Sequence, residues 1–103
     1  MTLILTEKHL YDYDEMGRMK LQKEAKAQVK TETAESCARD CTYKTDFECR
    51  SFDFCVDTKD SNLKTCLQHE SHLFRTNEGQ QKIELDLNAT SCTHYSSKNS
   101  YLN

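Results

Sequence analysis

Residues 33–41 read TAESCARDC, and this stretch decides the fold of the chain. Thr33 is a residue type that caps helices, the glutamate two positions later places negative charge in the first turn, and the alanines favour helix. The pattern predicts a helix over residues 34–44. Cys37 and Cys41 are four residues apart, so their side chains project from one helix face, and each is expected to bond to another part of the chain.

All six cysteines of the 103-residue chain lie after residue 36; the other four are Cys49, Cys55, Cys66 and Cys92. An even number in a short chain predicts a disulfide framework, and disulfides persist in oxidising compartments. A bridge that closes about 30 residues restricts the unfolded chain by about 3.6 kcal/mol. Such bridges offset a composition that is only 36% hydrophobic and 30% charged. We expect one extracellular module over residues 1–103, excised from a longer parent chain.

Strand patterns surround the helix. Residues 49–56 alternate apolar and polar side chains, and residues 63–68 form the next strand of a hairpin after a polar turn. Weaker strand patterns occur at residues 3–13, 81–87 and 90–96. Residues 19–31 are ambiguous, because their composition favours helix whereas their apolar residues alternate at period two. The predicted class is α+β, with one helix packed across a twisted antiparallel sheet of about five strands.

These residues resemble the PAN/apple family of extracellular modules. The resemblance is carried by residues 33–41, by Phe47-Glu48-Cys49-Arg50-Ser51-Phe52-Asp53-Phe54 and by Cys66-Leu67. They look like the family's capped helix with two cysteines one turn apart, followed by two strands. The match covers about residues 30–70 and favours extended structure for residues 19–31.

The resemblance also implies a disulfide pairing. Spacing alone cannot select one, because six cysteines allow fifteen connectivities. The family pattern implies that Cys41 bonds to Cys49 and that Cys37 bonds to Cys66, which ties the helix to the sheet. Elimination then leaves Cys55 with Cys92. The chain departs from the apple subgroup, whose extra bridge joins the termini, since no cysteine precedes Cys37.

A non-catalytic recognition or adhesion module is the function that the resemblance implies. Its partner would be an extracellular protein or a glycan, including a sulfated glycan, and neighbouring domains would belong to the parent chain. The main concentration of positive charge supplies candidate contacts: Lys20, Lys23, Lys26 and Lys30. A solvated face explains these lysines more simply, because Glu24 interrupts the group. Asn88-Ala89-Thr90 is a glycosylation sequon in a predicted turn. Rigid disulfides would let the loops at residues 56–62 and 71–81 present contacts.

Two other classes compete with this interpretation. An intracellular zinc domain would use Cys66, His69 and His72 with the two helix cysteines, but these spacings fit no common finger. A cysteine enzyme would need an activated thiolate, for which Cys92 and His94 offer only proximity in sequence. We expect neither an enzyme nor a cofactor. A net charge of −3 without long basic runs argues against nucleic acid, and no apolar stretch is long enough for membrane insertion.

Overall fold

The structure is a computed structural model that describes residues 8–21, 24–57, 59, 62–70, 85–86 and 91–98. Its helix α1 spans Ala34–Thr42. Thr33 has extended backbone geometry, and its Oγ1 accepts a hydrogen bond from the Ser36 N–H at 3.0 Å. The predicted cap is therefore confirmed, and the helix ends two residues before Lys44, the last residue of the predicted helix.

Seven short strands accompany this helix in the described ranges. They are β1 (Tyr13–Glu15), β2 (Lys20–Leu21), β3 (Ala27–Val29), β4 (Ser51–Val56), β5 (Lys64–His69), β6 (Leu85–Asp86) and β7 (Cys92–Ser97). Five of them form an antiparallel sheet in the order β1-β7-β4-β5-β3, while β2 pairs with β6. Strands β4 and β5 form the predicted hairpin. The predicted α+β class, with one helix and a disulfide-stapled antiparallel sheet, is confirmed.

The chain before β1 differs from the strand predicted over residues 3–13. Residues 3–7 lie outside the described residues, and Leu10–Asp12 form a short 3-10 helix rather than a strand. The cause of this turn is the Glu35 carboxylate at the start of α1. It accepts hydrogen bonds from the backbone N–H groups of His9 and Leu10, each at 2.9 Å. An acidic side chain contributed by the helix thus imposes a turn on this segment.

The ambiguous stretch at residues 19–31 is extended where it is described, and it forms β2 and β3. Tertiary packing outweighs helix propensity here, because Val29 packs against the hydrophobic core and β3 pairs with β5. Of the strand predicted at residues 81–87, the structure describes only β6. The strand predicted at residues 90–96 is β7.

The hydrophobic core lies between α1 and one face of the sheet. Phe52 is fully buried at its centre, edge-on to the Tyr13 ring at 5.0 Å and stacked on the Tyr95 ring at 4.8 Å. From the helix, Cys37 and Ala38 are completely buried against this face. Alternation along β4 therefore places its aromatic residues toward the helix, and it leaves Asp53 on the opposite face.

Three disulfides tie these elements together. Cys37 bonds to Cys66 of β5, and Cys41 bonds to Cys49 just before β4, so two bridges hold the helix to the sheet. The third joins Cys55 to Cys92, which face each other in the register of β4 and β7. The first two are the pairs that the family resemblance implies, and the third is the pair that elimination left. Within the described residues, no helix combines the length and the apolar character that crossing a membrane would require.

Candidate ligand-binding groove

A groove of about 510 Å³ runs between helix α1 and the segment that follows β3. One wall is a polar stripe on the helix, formed by Ser36, Arg39, Asp40 and Tyr43. Their spacing of three, four and seven residues places them on one helix face. Residues 29–32 form the other wall. The two elements are neighbours because the chain passes from β3 into α1 through only a few residues.

Unpaired positive charge distinguishes this groove. Lys30 and Arg39 are both exposed, and neither makes an ion pair with any residue that the structure describes. Asp40 is already occupied, because its Oδ2 accepts hydrogen bonds from Lys44 Nζ at 2.9 Å and Gln68 Nε2 at 2.7 Å. The Lys44 ammonium, helped by the Gln68 amide, holds the pKa of Asp40 below its usual value.

An aromatic ring marks the end of the groove. Tyr43 is 66% exposed, and the His9 ring meets it edge-on at a centroid distance of 5.4 Å. His9 is itself held by Glu35, whose Oε2 lies 2.7 Å from His9 Nδ1. An exposed ring supported in this way offers contact area at little conformational cost.

The structure places only part of the predicted lysine cluster at this groove. Lys30 lines it, whereas Lys26 forms an ion pair with Glu70 at 3.7 Å and Lys20 lies in β2 of the two-stranded sheet. Lys23 and Asn88 lie outside the described residues. Sequence reasoning missed the polar stripe of α1, although its signal was available. The stripe lies at helical spacing opposite the face that carries the two cysteines.

A second polar group lies on the sheet face away from the helix. Asp53 Oδ1 is 2.6 Å from His94 Nδ1, and Asp53 Oδ2 is 2.7 Å from His69 Nε2. Ser96 Oγ lies 3.0 Å from His94 Nε2, and all four side chains are at most 2% exposed. Burial raises the pKa of Asp53, but the hydrogen bonds from His69 and His94 outweigh burial and hold that pKa below its usual value.

Hydrogen bonds link Ser96 to His94 and His94 to Asp53, and the catalytic triad of serine hydrolases has its serine, histidine and aspartate linked in the same order. Ser96 is fully buried, however, and it faces Asp14 of β1 on one side and Ser51 of β4 on the other. A substrate carbonyl would need open access to the Ser96 Oγ, whereas Ser96 is 0% exposed. The strand predicted over residues 63–68 extends to His69, which is the buried last residue of β5 and contacts the carboxylate of Asp53.

Disulfide pairing removes the ligands that the zinc alternative requires. All six cysteines are bonded, so none offers a thiolate to a metal or to catalysis. His69 is engaged by Asp53, and His72 lies outside the described residues. Across the part of the chain that is described, no three His, Cys, Asp or Glu side chains converge as a metal site. No protein-family model matches this chain, and no curated protein matches its sequence.

Proposed function

We propose that this chain is a PAN-type extracellular recognition module that binds a protein or glycan ligand without catalysis. The groove beside α1 supports this proposal best. It combines two cations that pair with no acidic residue in the described ranges, Lys30 and Arg39, with the exposed ring of Tyr43 on a single surface. Unpaired charge beside an exposed aromatic ring is typical of a surface that recognises a partner.

The scaffold supports the same function. Cys37 follows Ser36 and Cys41 follows Asp40, so the two helix-to-sheet disulfides anchor the wall that carries the groove residues. A wall fixed before binding loses little conformational entropy when a ligand arrives. Three disulfides also fit an extracellular or secreted location, where small modules of this size mostly act by binding.

A binding experiment with matched variants tests the proposal. The oxidised module would be applied to arrays of sulfated, carboxylated and neutral glycans and of extracellular protein domains. The groove variant removes both cations, Lys30→Ala with Arg39→Ala. The control removes the same charges from exposed positions that do not line the groove, Arg18→Ala with Lys59→Ala. We expect the groove variant to bind at least about tenfold more weakly, while the control binds as the wild type does.

Two results would count against the proposal. The first is the absence of any ligand on either array, and the second is equal loss of binding in the groove and control variants. A thiol count under denaturing, non-reducing conditions tests the compartment separately. No free thiol is expected, whereas six free thiols with bound metal would favour the intracellular zinc domain.

A further inference from the structure

Strand β3 is the last strand at one end of the five-stranded sheet. It pairs with β5 on one side, and on its other side no described strand pairs with it. An edge strand presents backbone N–H and C=O groups that another extended chain can pair with. The side chains along this edge are accessible, because Lys26, Gln28 and Lys30 are all exposed.

The groove adjoins this edge. Val29, the last residue of β3, lines the groove together with the three residues that follow it, and α1 forms the opposite wall. A groove between an edge strand and a helix suits an extended peptide, which can pair with the strand while its side chains contact the helix. A compact ligand such as a single sugar would use the helix stripe but not the backbone of β3.

The charged side chains that line the groove indicate which kind of peptide would bind there. Lys30 and Arg39 lie on the two walls and form no ion pair within the described part of the chain, so an acidic side chain between them would gain charge-assisted hydrogen bonds. Asp40 would not repel it strongly, since Lys44 and Gln68 already bind that carboxylate. The lysines that flank β3 also disfavour the pairing of two copies of this edge, because like charges would then face each other.

We propose that the groove between α1 and residues 29–32, at the end of β3, binds an extended acidic peptide of another protein. The peptide adds as a strand to the edge of β3 on which no described strand pairs and places a carboxylate between Lys30 and Arg39, and Tyr43 packs against a neighbouring peptide side chain. This inference rests on the proposed recognition function, and it names the partner and the binding mode for the same site. Exposed Glu32 also lines the groove, so its negative charge would repel a second acidic peptide side chain placed beside it.

A random octapeptide library displayed on phage would be selected against the oxidised module, and the consensus peptide would be synthesised with a fluorescent label. Binding would be measured by fluorescence anisotropy for the wild type, for Arg39→Glu and for the control Arg18→Glu. Two further peptides with the same sequence would carry N-methyl groups at alternate residues, one in each of the two registers, which removes backbone donors without changing the side chains.

Three results are expected together. The selected peptides should contain an acidic residue at one fixed position. N-methylation in one of the two registers should weaken binding about tenfold or more. Arg39→Glu should also weaken binding about tenfold or more, while Arg18→Glu should have little effect. Amide resonances of Gln28 and Lys30 should shift when the peptide binds. Full binding after N-methylation in both registers would overturn strand addition. If a sulfated glycan binds the groove and no peptide is selected, the recognition function stands but this inference is wrong; if neither ligand binds, both fail.

Discussion

Asp53 and His94 form a short hydrogen bond in the interior of the sheet, with 2.6 Å between Asp53 Oδ1 and His94 Nδ1 and both side chains fully buried. The second carboxylate oxygen binds His69, so one anion joins strands β4, β5 and β7. Hydrogen bonds from both imidazole rings help to offset the desolvation of that carboxylate. We therefore expect this group to contribute to stability.

The first prediction concerns Asp53→Asn. The amide would direct its NH2 group at one of the two imidazole N–H donors, which leaves a buried donor without an acceptor. We expect the free energy of unfolding to fall by about 1–3 kcal/mol, the cost of leaving a buried hydrogen-bonding group unsatisfied. Urea unfolding measures this change. Asp46→Asn at an exposed position is the control and should change it by less than about 0.5 kcal/mol. Equal effects would contradict the structural role of the buried group.

The second prediction is an acid dependence of stability. The pKa of Asp53 is lower in the folded state than its usual value of 3.8. A carboxyl with a depressed folded pKa contributes stability above its unfolded pKa, and this contribution is lost as the pH falls toward its folded pKa. The wild type should therefore lose stability between about pH 4 and pH 2 more steeply than Asp53→Asn does. Thermal unfolding in this range would show it, and parallel profiles would refute it.

Local patterns predicted the elements of this fold but not how their faces meet. The helix was predictable because Thr33 and the residues after it are sequence neighbours, and the β4–β5 hairpin followed from alternation. The buried polar group was not, because Asp53 is 16 residues from His69 and 41 residues from His94. Alternation shows that two residues share a strand face, but it does not show that β7 lies between β1 and β4. The groove was missed for a different reason: its two walls are close in sequence, but strand alternation and helical spacing do not show that a cleft separates residues 29–32 from α1.

The third prediction concerns the helix cap. Thr33 Oγ1 accepts a hydrogen bond from the Ser36 N–H at 3.0 Å. This cap lies at the start of α1, the helix that forms one wall of the groove. Thr33→Ala should lower the free energy of unfolding by about 1 kcal/mol, and Thr33→Ser should largely restore it, because serine keeps the accepting hydroxyl. Chemical denaturation of the three proteins measures this. If Thr33→Ser were as destabilised as Thr33→Ala, the cap hydrogen bond would not be the cause.

The last prediction separates the roles of two disulfides that close loops of similar length, 29 residues for Cys37–Cys66 and 37 residues for Cys55–Cys92. Chain entropy assigns both about the same stabilisation, roughly 3.5–4 kcal/mol. Their positions differ, because the first joins α1 to the sheet whereas the second joins β4 to a strand that is already its neighbour. Because the two loops are similar in length, replacing either pair by alanine should lower the global free energy of unfolding by a similar amount. Only loss of Cys37–Cys66 should allow α1 to exchange its amide hydrogens through local opening, which native-state hydrogen exchange would detect. Equal protection of α1 in the two variants would show that packing around Ala38 and the remaining Cys41–Cys49 bridge hold the helix in place without Cys37–Cys66.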